Sequence, residues 1–138
     1  MKPTIRRPVS DQIPEFRDYL KIDKDGLDDA MAQQAALFFR VAEKYALAIS
    51  EREEAKETLN TVDADIGLRL RTGKKADEKM TEGLIKDRVQ KAPEHTAAFD
   101  AYARTRRQAE QLAALKEAFQ ERGRMLRDLG NLYATGYF

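Results

Sequence analysis

The chain has 138 residues, with 25 Lys or Arg, 24 Asp or Glu, one His and no Cys. This length predicts one domain. Without Cys the chain cannot form a disulfide, a thiolate metal site or a Cys nucleophile, and a single His excludes a zinc site with several His ligands from one chain. A formal net charge of +1 argues against a monomer that binds DNA through a strong, uniform basic field.

Residues 1–26 predict an extended arm. They hold three of the four prolines in the chain, which are Pro3, Pro8 and Pro14. Proline removes a backbone donor and disfavours helix at the residue before it, so we expect an extended arm through Ile13 and a short helix over residues 15–21. The turn-forming residues 23–26 then stop that helix.

The sequence also predicts where the protein acts. Its first eight residues lack the apolar segment of a secretory signal. No window reaches the roughly 18 consecutive apolar residues that a spanning helix needs. We therefore expect a cytoplasmic protein with no membrane partner.

Residues 27–71 predict one long amphipathic helix. They contain no proline, and apolar residues recur mostly at steps of three, four or seven, which is one face of a helix. This stripe consists of Leu27, Met31, Phe38, Val41, Tyr45, Ile49, Leu59, Val62, Ile66 and Leu70. Such a helix spans roughly 65 Å at 1.5 Å per residue, so it cannot be buried in a compact globule and needs a coiled-coil-like partner.

A short helix and a second long helix follow the first. Residues 79–90 predict the short helix, with Thr81 as a candidate N-cap and Pro93 just after its end. The second long helix is predicted from residue 94 to about Tyr133, and from Leu112 onward its apolar residues follow a heptad-like pattern.

The two long helices are similar in length and opposite in charge. Residues 27–71 contain six basic and nine acidic residues, whereas residues 96–138 contain seven basic and five acidic ones. Opposite charge suits two helices that lie side by side. The predicted fold is all-α: two long antiparallel helices form a hairpin with a short connecting helix over residues 27–138, after the arm of residues 1–26.

The sequence shows no arrangement typical of catalysis. We expect the acidic residues of the long helices to form a solvated face and His95 to be a capping or surface residue. No Gly-rich loop follows a strand, so a phosphate cradle is not predicted. The prediction is a protein that is not an enzyme, with no catalytic residue, no metal site and no cofactor.

Clusters of basic residues indicate more about function than the acidic residues and His95 do. Residues 69–75 include four basic and no acidic residues, and two further clusters lie on the second long helix at residues 104–107 and 122–127. A basic segment repeated around an oligomer would form an electrostatic groove for a phosphate backbone. No aromatic residue for base stacking is near in sequence, so we predict backbone binding, with solvated coiled-coil charges as the alternative. The candidate nucleic-acid-binding residues are Arg69, Arg71, Lys74, Lys75, Arg104 and Arg107.

Aromatic residues predict a core and an assembly surface. Phe38, Phe39 and Tyr45 lie on or beside the apolar stripe and are expected in the core. Exposed aromatic residues at a chain end are costly, so we expect the last ones to dock on a neighbouring subunit or partner. The residues predicted at a homo-oligomer interface are Phe38, Tyr45, Leu126, Tyr133, Tyr137 and Phe138.

Four segments resemble the UvsY family, the recombination mediators of tailed phages. The first runs from Leu27-x-x-Ala30 through Ala36-Leu37-Phe38-Phe39 to Ala42-x-x-Tyr45. The others are Arg69-Leu70-Arg71-Thr72-Gly73-Lys74, then Lys79-Met80-Thr81-Glu82, and finally Leu115-Lys116-Glu117-Ala118-Phe119-x-x-Arg122-Gly123, ending near Leu132-Tyr133. The resemblance covers about residues 27–136 and rests on the order and spacing of these segments.

This resemblance implies a small helical protein that assembles into a ring. Proteins of the family bind single-stranded DNA, contact the single-strand-binding protein and load a RecA-like recombinase onto the strand. Carried to this chain, the DNA contacts of the family fall on Arg69, Arg71, Lys74 and Lys75, and a phage-encoded protein would act in the host cytoplasm. Two alternatives stay open: a structural or adaptor coiled coil of phage assembly, and a small regulator that uses residues 1–22 as a ligand.

Overall fold

The computed structural model describes residues 9–73 and 80–136, with side chains from residue 12 onward, and 91% of this part is helical. Helix α1 is Val9–Asp18, α2 is Leu27–Thr72, α3 is Glu82–Lys91 and α4 is Pro93–Ala134, and a 3-10 turn at Lys24–Gly26 precedes α2. No strand occurs in the described ranges, and α2 and α4 pack against each other as a hairpin. The predicted all-α hairpin is confirmed.

The ends of the helices follow local chemistry. Helix α2 has Asp28 and Asp29 in its first turn and Arg69 and Arg71 in its last, so both ends complement the helix dipole. Helix α3 begins after Thr81, whose hydroxyl accepts a hydrogen bond from the Leu84 amide at 3.2 Å. This confirms the predicted N-cap.

The N-terminal segment differs from its prediction. Helix α1 begins at Val9, not at residue 15, and it contains Pro14 in its interior. Ile13 and Phe16 are 5% and 4% exposed, and the Arg40 guanidinium lies 5.6 Å from the centre of the Phe16 ring. Burial of two large apolar side chains offsets the cost of about 3 kcal/mol that an interior proline imposes on a helix.

The described residues fall into two compact units. The first is drawn from Met1–Ala48 and Gln108–Phe138, and the second is Ile49–Arg107. The core of the first unit contains Ile13, Phe16, Leu27, Ala30, Leu37, Val41, Ala48, Ala109, Leu112, Leu115, Phe119 and Leu126. In the second unit Ile66 and Ile85 are the buried hydrophobic side chains of the described part. The first unit therefore holds most of the described core.

The buried face of α2 is shifted from the predicted stripe. Leu27 and Val41 are buried as expected, but Met31 is 45% exposed and Phe39 65% exposed, so neither is a core residue. The buried positions in this part of α2 are residues 27, 30, 37, 41 and 48, and together with Gln34, which hydrogen-bonds to α4, they keep a heptad-like spacing. Gln34, Leu37 and Ala48 belong to this face although the predicted stripe did not include them.

Candidate nucleic-acid interface

The predicted DNA-binding residues Arg69 and Arg71 lie in the last turn of α2 and are solvent-exposed. Their side chains are 65% and 48% exposed. Arg71 Nη2 lies 2.8 Å from Glu82 Oε2, and Arg69 Nη2 lies 3.8 Å from Glu94 Oε1. Each cation therefore already has a carboxylate neighbour, which the sequence analysis did not predict.

The Arg71–Glu82 contact is a charge-assisted pair with two hydrogen bonds, from Nε at 3.4 Å and from Nη2 at 2.8 Å. The hydrogen bond and the attraction between the charges raise the pKa of Arg71 and lower the pKa of Glu82. Because the Glu82 side chain is 78% exposed, water and salt screen the pair strongly. A phosphate oxygen can therefore compete for the guanidinium.

Arg104 and Arg107 are exposed on α4, one turn apart. Neither forms a hydrogen bond or ion pair with another residue of the described ranges. Ten residues separate Arg104 from Glu94, the neighbour of Arg69, which is about 15 Å along a helix axis. The structure thus places these arginines at two separate positions of the second unit. Lys74 and Lys75 lie outside the described residues.

The third basic cluster is not a continuous surface. Arg122 is only 4% exposed, so it is not available to a phosphate backbone. Arg124 is exposed and pairs with Glu121 at 3.0 Å, and Arg127 lies 3.8 Å from Asp128. The positive charge in this segment is therefore partly buried and partly compensated.

His95 is not the surface residue that the sequence suggested. Its Nδ1 lies 2.6 Å from Asp63 Oδ1, and the two side chains are 17% and 32% exposed. The His95 ring also stacks on Phe99, with 5.9 Å between ring centres and an angle of 25° between planes. Phe99 itself is 47% exposed. Sequence reasoning missed this group because Asp63 lies 32 residues from His95.

A cleft of about 590 Å³ lies beside these contacts in the second unit. Its lining includes Asp63 and His95, the Arg71–Glu82 pair and the apolar side chain of Ile85. Charges of both signs line an open cleft, so the surroundings strengthen electrostatic contacts less than a dry pocket does. The arrangement suits reversible binding of a charged ligand.

The residues predicted at the homo-oligomer interface differ in their exposure in the first unit. Phe38 and Tyr45 are half-buried, and Lys116 Nζ lies 5.3 Å from the centre of the Tyr45 ring. Leu126 is 2% exposed and packs with Leu27 and Ala30, so it belongs to the core of its own chain and offers no surface to a second copy.

The end of the chain is described only in part. Tyr133 is 52% exposed, as an assembly residue would be before its partner binds. Tyr137 and Phe138, the last two residues predicted at the interface, lie outside the described residues. Homo-oligomer contact through Tyr133 therefore stays a prediction.

Comparisons with protein-family models, curated proteins and solved structures gave no match in any of the three. Within the described ranges no helix combines the length and apolar character needed to cross a membrane. The same residues contain no group of three or more His, Cys, Asp or Glu side chains arranged to hold a metal ion.

Proposed function

We propose that the protein is a single-stranded DNA-binding recombination mediator, which helps to load a RecA-like recombinase onto strands covered by single-strand-binding protein. The observation that carries the proposal is the exposure of Arg69, Arg71, Arg104 and Arg107 on the helices of the second unit. The resemblance to the UvsY family supports it. Such a protein holds a strand and positions its partners without any covalent step.

Phosphate binding on this surface is an exchange of partners. Glu82 and Glu94 hold Arg71 and Arg69 in solvent-exposed pairs, and exposed pairs add little stability. A DNA backbone offers many phosphates and releases counterions when it binds, so it displaces the carboxylates at low salt. Assembly of several copies into a homo-oligomeric ring would raise the affinity further, because later contacts become intramolecular.

The test is the double charge reversal Arg69→Glu with Arg71→Glu, measured by fluorescence anisotropy with a labelled single-stranded oligonucleotide. The control is Arg124→Glu with Arg127→Glu, which changes the net charge equally. These two residues are also exposed and close to carboxylates, but they lie in the first unit. The proposal predicts loss of DNA binding in the first variant and near wild-type binding in the control.

Equal loss in both variants would show that net charge, and not the end of α2, governs binding. Unchanged binding in the Arg69 and Arg71 variant would remove the assignment of these residues. Circular dichroism of both variants should match the wild-type protein, because the substituted side chains are exposed.

A structural or adaptor coiled coil is the second candidate, and the exposed apolar surface of the first unit favours it. Met31, Phe39, Met125 and Tyr133 are 45%, 65%, 52% and 52% exposed. Where such side chains form a contiguous patch, they are typical of surfaces that another protein covers. This function predicts self-association or partner capture without DNA affinity at about 0.1 M salt, which sedimentation and DNA titration measured together would distinguish.

A further inference from the structure

We propose that one face of α4 is a base-stacking surface for single-stranded DNA, centred on Phe99 and flanked by His95 and Tyr102. We call these three residues, together with Arg106, the stacking strip. The inference rests on the proposed function and adds to it a contact with the bases themselves. It replaces the expectation that no aromatic side chain lies near the basic end of α2.

The four residues of the strip lie on one side of α4. They follow each other at steps of four, three and four residues, which keeps them on one face of an α-helix. His95 stacks on Phe99, and the Arg106 guanidinium lies 6.0 Å from the centre of the Tyr102 ring. Eleven residues from His95 to Arg106 correspond to about 17 Å along the helix axis.

Phe99, at the centre of the strip, is both held in place and open to a ligand. The Asp63 carboxylate, 2.6 Å from His95 Nδ1, fixes the imidazole ring from the neighbouring helix α2. The fixed imidazole in turn supports the ring of Phe99, which remains 47% exposed. A ring held this way loses little rotational freedom when a base stacks on it, so binding costs less entropy.

An arginine near each end of the strip favours a nucleic acid as its occupant, once a phosphate displaces the exposed carboxylate partner of Arg69. Arg106 lies over Tyr102 at one end. At the other end Arg69 reaches Glu94, the residue next to His95. Aromatic rings between cations are typical of grooves for single strands, where bases stack and phosphates meet arginine or lysine.

The strip also predicts strand preference. Bases in a duplex already stack on each other and do not present free faces, whereas bases in a single strand do. Backbone contacts alone do not make this distinction, because both forms carry phosphates. Stacking on Phe99 therefore supplies a reason for a mediator to prefer single-stranded DNA.

The test compares two labelled oligonucleotides of equal length and charge, oligo-thymidine and an abasic strand, at the same salt concentration. Wild-type protein should bind oligo-thymidine at least about fivefold more tightly, since one stacked base contributes that much or more. Phe99→Leu keeps an apolar side chain without a π-face, so it should lower affinity for oligo-thymidine and leave abasic binding unchanged. Phe39→Leu, at an exposed ring of the first unit, is the matched control. It should change neither the affinity for oligo-thymidine nor the affinity for the abasic strand.

The outcomes separate the inference from the proposed function. Equal wild-type binding of both strands would overturn stacking and leave backbone binding in place. A base preference that survives Phe99→Leu would overturn the assignment to Phe99. No binding of either strand at low salt would overturn the proposed function itself. The wild-type comparison needs no variant, so it decides the question even if Phe99→Leu fails to fold.

Discussion

Gln34 and Arg122 hydrogen-bond between α2 and α4 inside a largely apolar core, with 2.5 Å between Arg122 Nη1 and Gln34 Oε1. Gln34 Nε2 donates in turn to the Phe119 carbonyl oxygen at 2.6 Å. Arg122 is 4% exposed, its Nε has no hydrogen-bond partner among the described residues, and burial lowers the pKa of its guanidinium. Arginine stays charged even so, and Gln34 is its one polar partner in the described ranges.

Removal of Gln34 should therefore lower the free energy of unfolding by more than the loss of a surface contact does. Gln34→Leu leaves the buried Arg122 charge without its acceptor, and we expect a loss of about 2 kcal/mol in the free energy of unfolding. Urea denaturation followed by circular dichroism measures this difference. A variant as stable as the wild-type protein would show that Arg122 does not depend on Gln34.

Replacement of both partners should reverse the loss. Gln34→Leu with Arg122→Met fills the same space with apolar side chains and removes the buried charge. Exchange of buried ionic groups for apolar residues is often neutral or stabilising, so we expect the double variant within about 1 kcal/mol of wild type or above it. A double variant less stable than Gln34→Leu alone contradicts this explanation.

Two helical glycines should respond to alanine in opposite directions. A Cβ added at Gly83 in α3 meets no atom within 4 Å, so Gly83→Ala should stabilise the protein by up to about 1 kcal/mol through helix propensity. A Cβ at Gly123 in α4 meets Gln34 Nε2 at 3.0 Å, and two hydrogen bonds hold that amide in place. Gly123→Ala should therefore destabilise the protein. Equal shifts of the melting temperature in Gly83→Ala and Gly123→Ala would contradict the expected difference.

The sequence predicted the helices well because their signals are local. The long helix from Leu27, the N-cap at Thr81 and the break before Pro93 each depend on neighbouring residues, and the structure confirms all three. The start of α1 was predicted too late because the rule for proline is also local. It does not include the burial of Ile13 and Phe16 around Pro14.

The contacts between α2 and α4 could not be predicted from the sequence. A stripe built from apolar residues cannot include Gln34, and it therefore assigned Met31 to a face that the structure leaves 45% exposed. The pairing of His95 with Asp63 likewise needs the register between α2 and α4. That register depends on the side chains of both helices together and is not encoded in the spacing of either helix alone.

The Arg71–Glu82 pair predicts a pH dependence. The pKa of Glu82 is lowered in the folded protein from its ordinary value of 4.5, so the pair stabilises the fold above that pH and the contribution is lost as the pH falls through the lowered value. In an NMR titration Glu82 should therefore titrate below 4.5. Arg71→Gln should return it to the ordinary range, and a Glu82 titration unaffected by this variant would refute the coupling.

The N-cap of α3 predicts a local loss of stability. Thr81→Ala removes the acceptor for the Leu84 amide and should lower the free energy of unfolding by about 1 kcal/mol. Amide hydrogen exchange in α3 should become faster. Thr58→Ala is the matched control, because the Thr58 hydroxyl only donates to the Glu54 carbonyl oxygen within α2. Equal exchange rates in α3 for both variants would exclude a capping role for Thr81.

Single-strand binding is tested most directly by fluorescence anisotropy of labelled single- and double-stranded oligonucleotides, titrated with wild-type protein over a series of salt concentrations. We predict that the protein prefers single strands and that the logarithm of its association constant falls linearly with the logarithm of salt concentration. The slope is roughly −0.7 per phosphate contacted on a single strand, so it counts the contacts. Absence of binding to both forms at low salt would contradict the mediator function and favour the structural coiled coil.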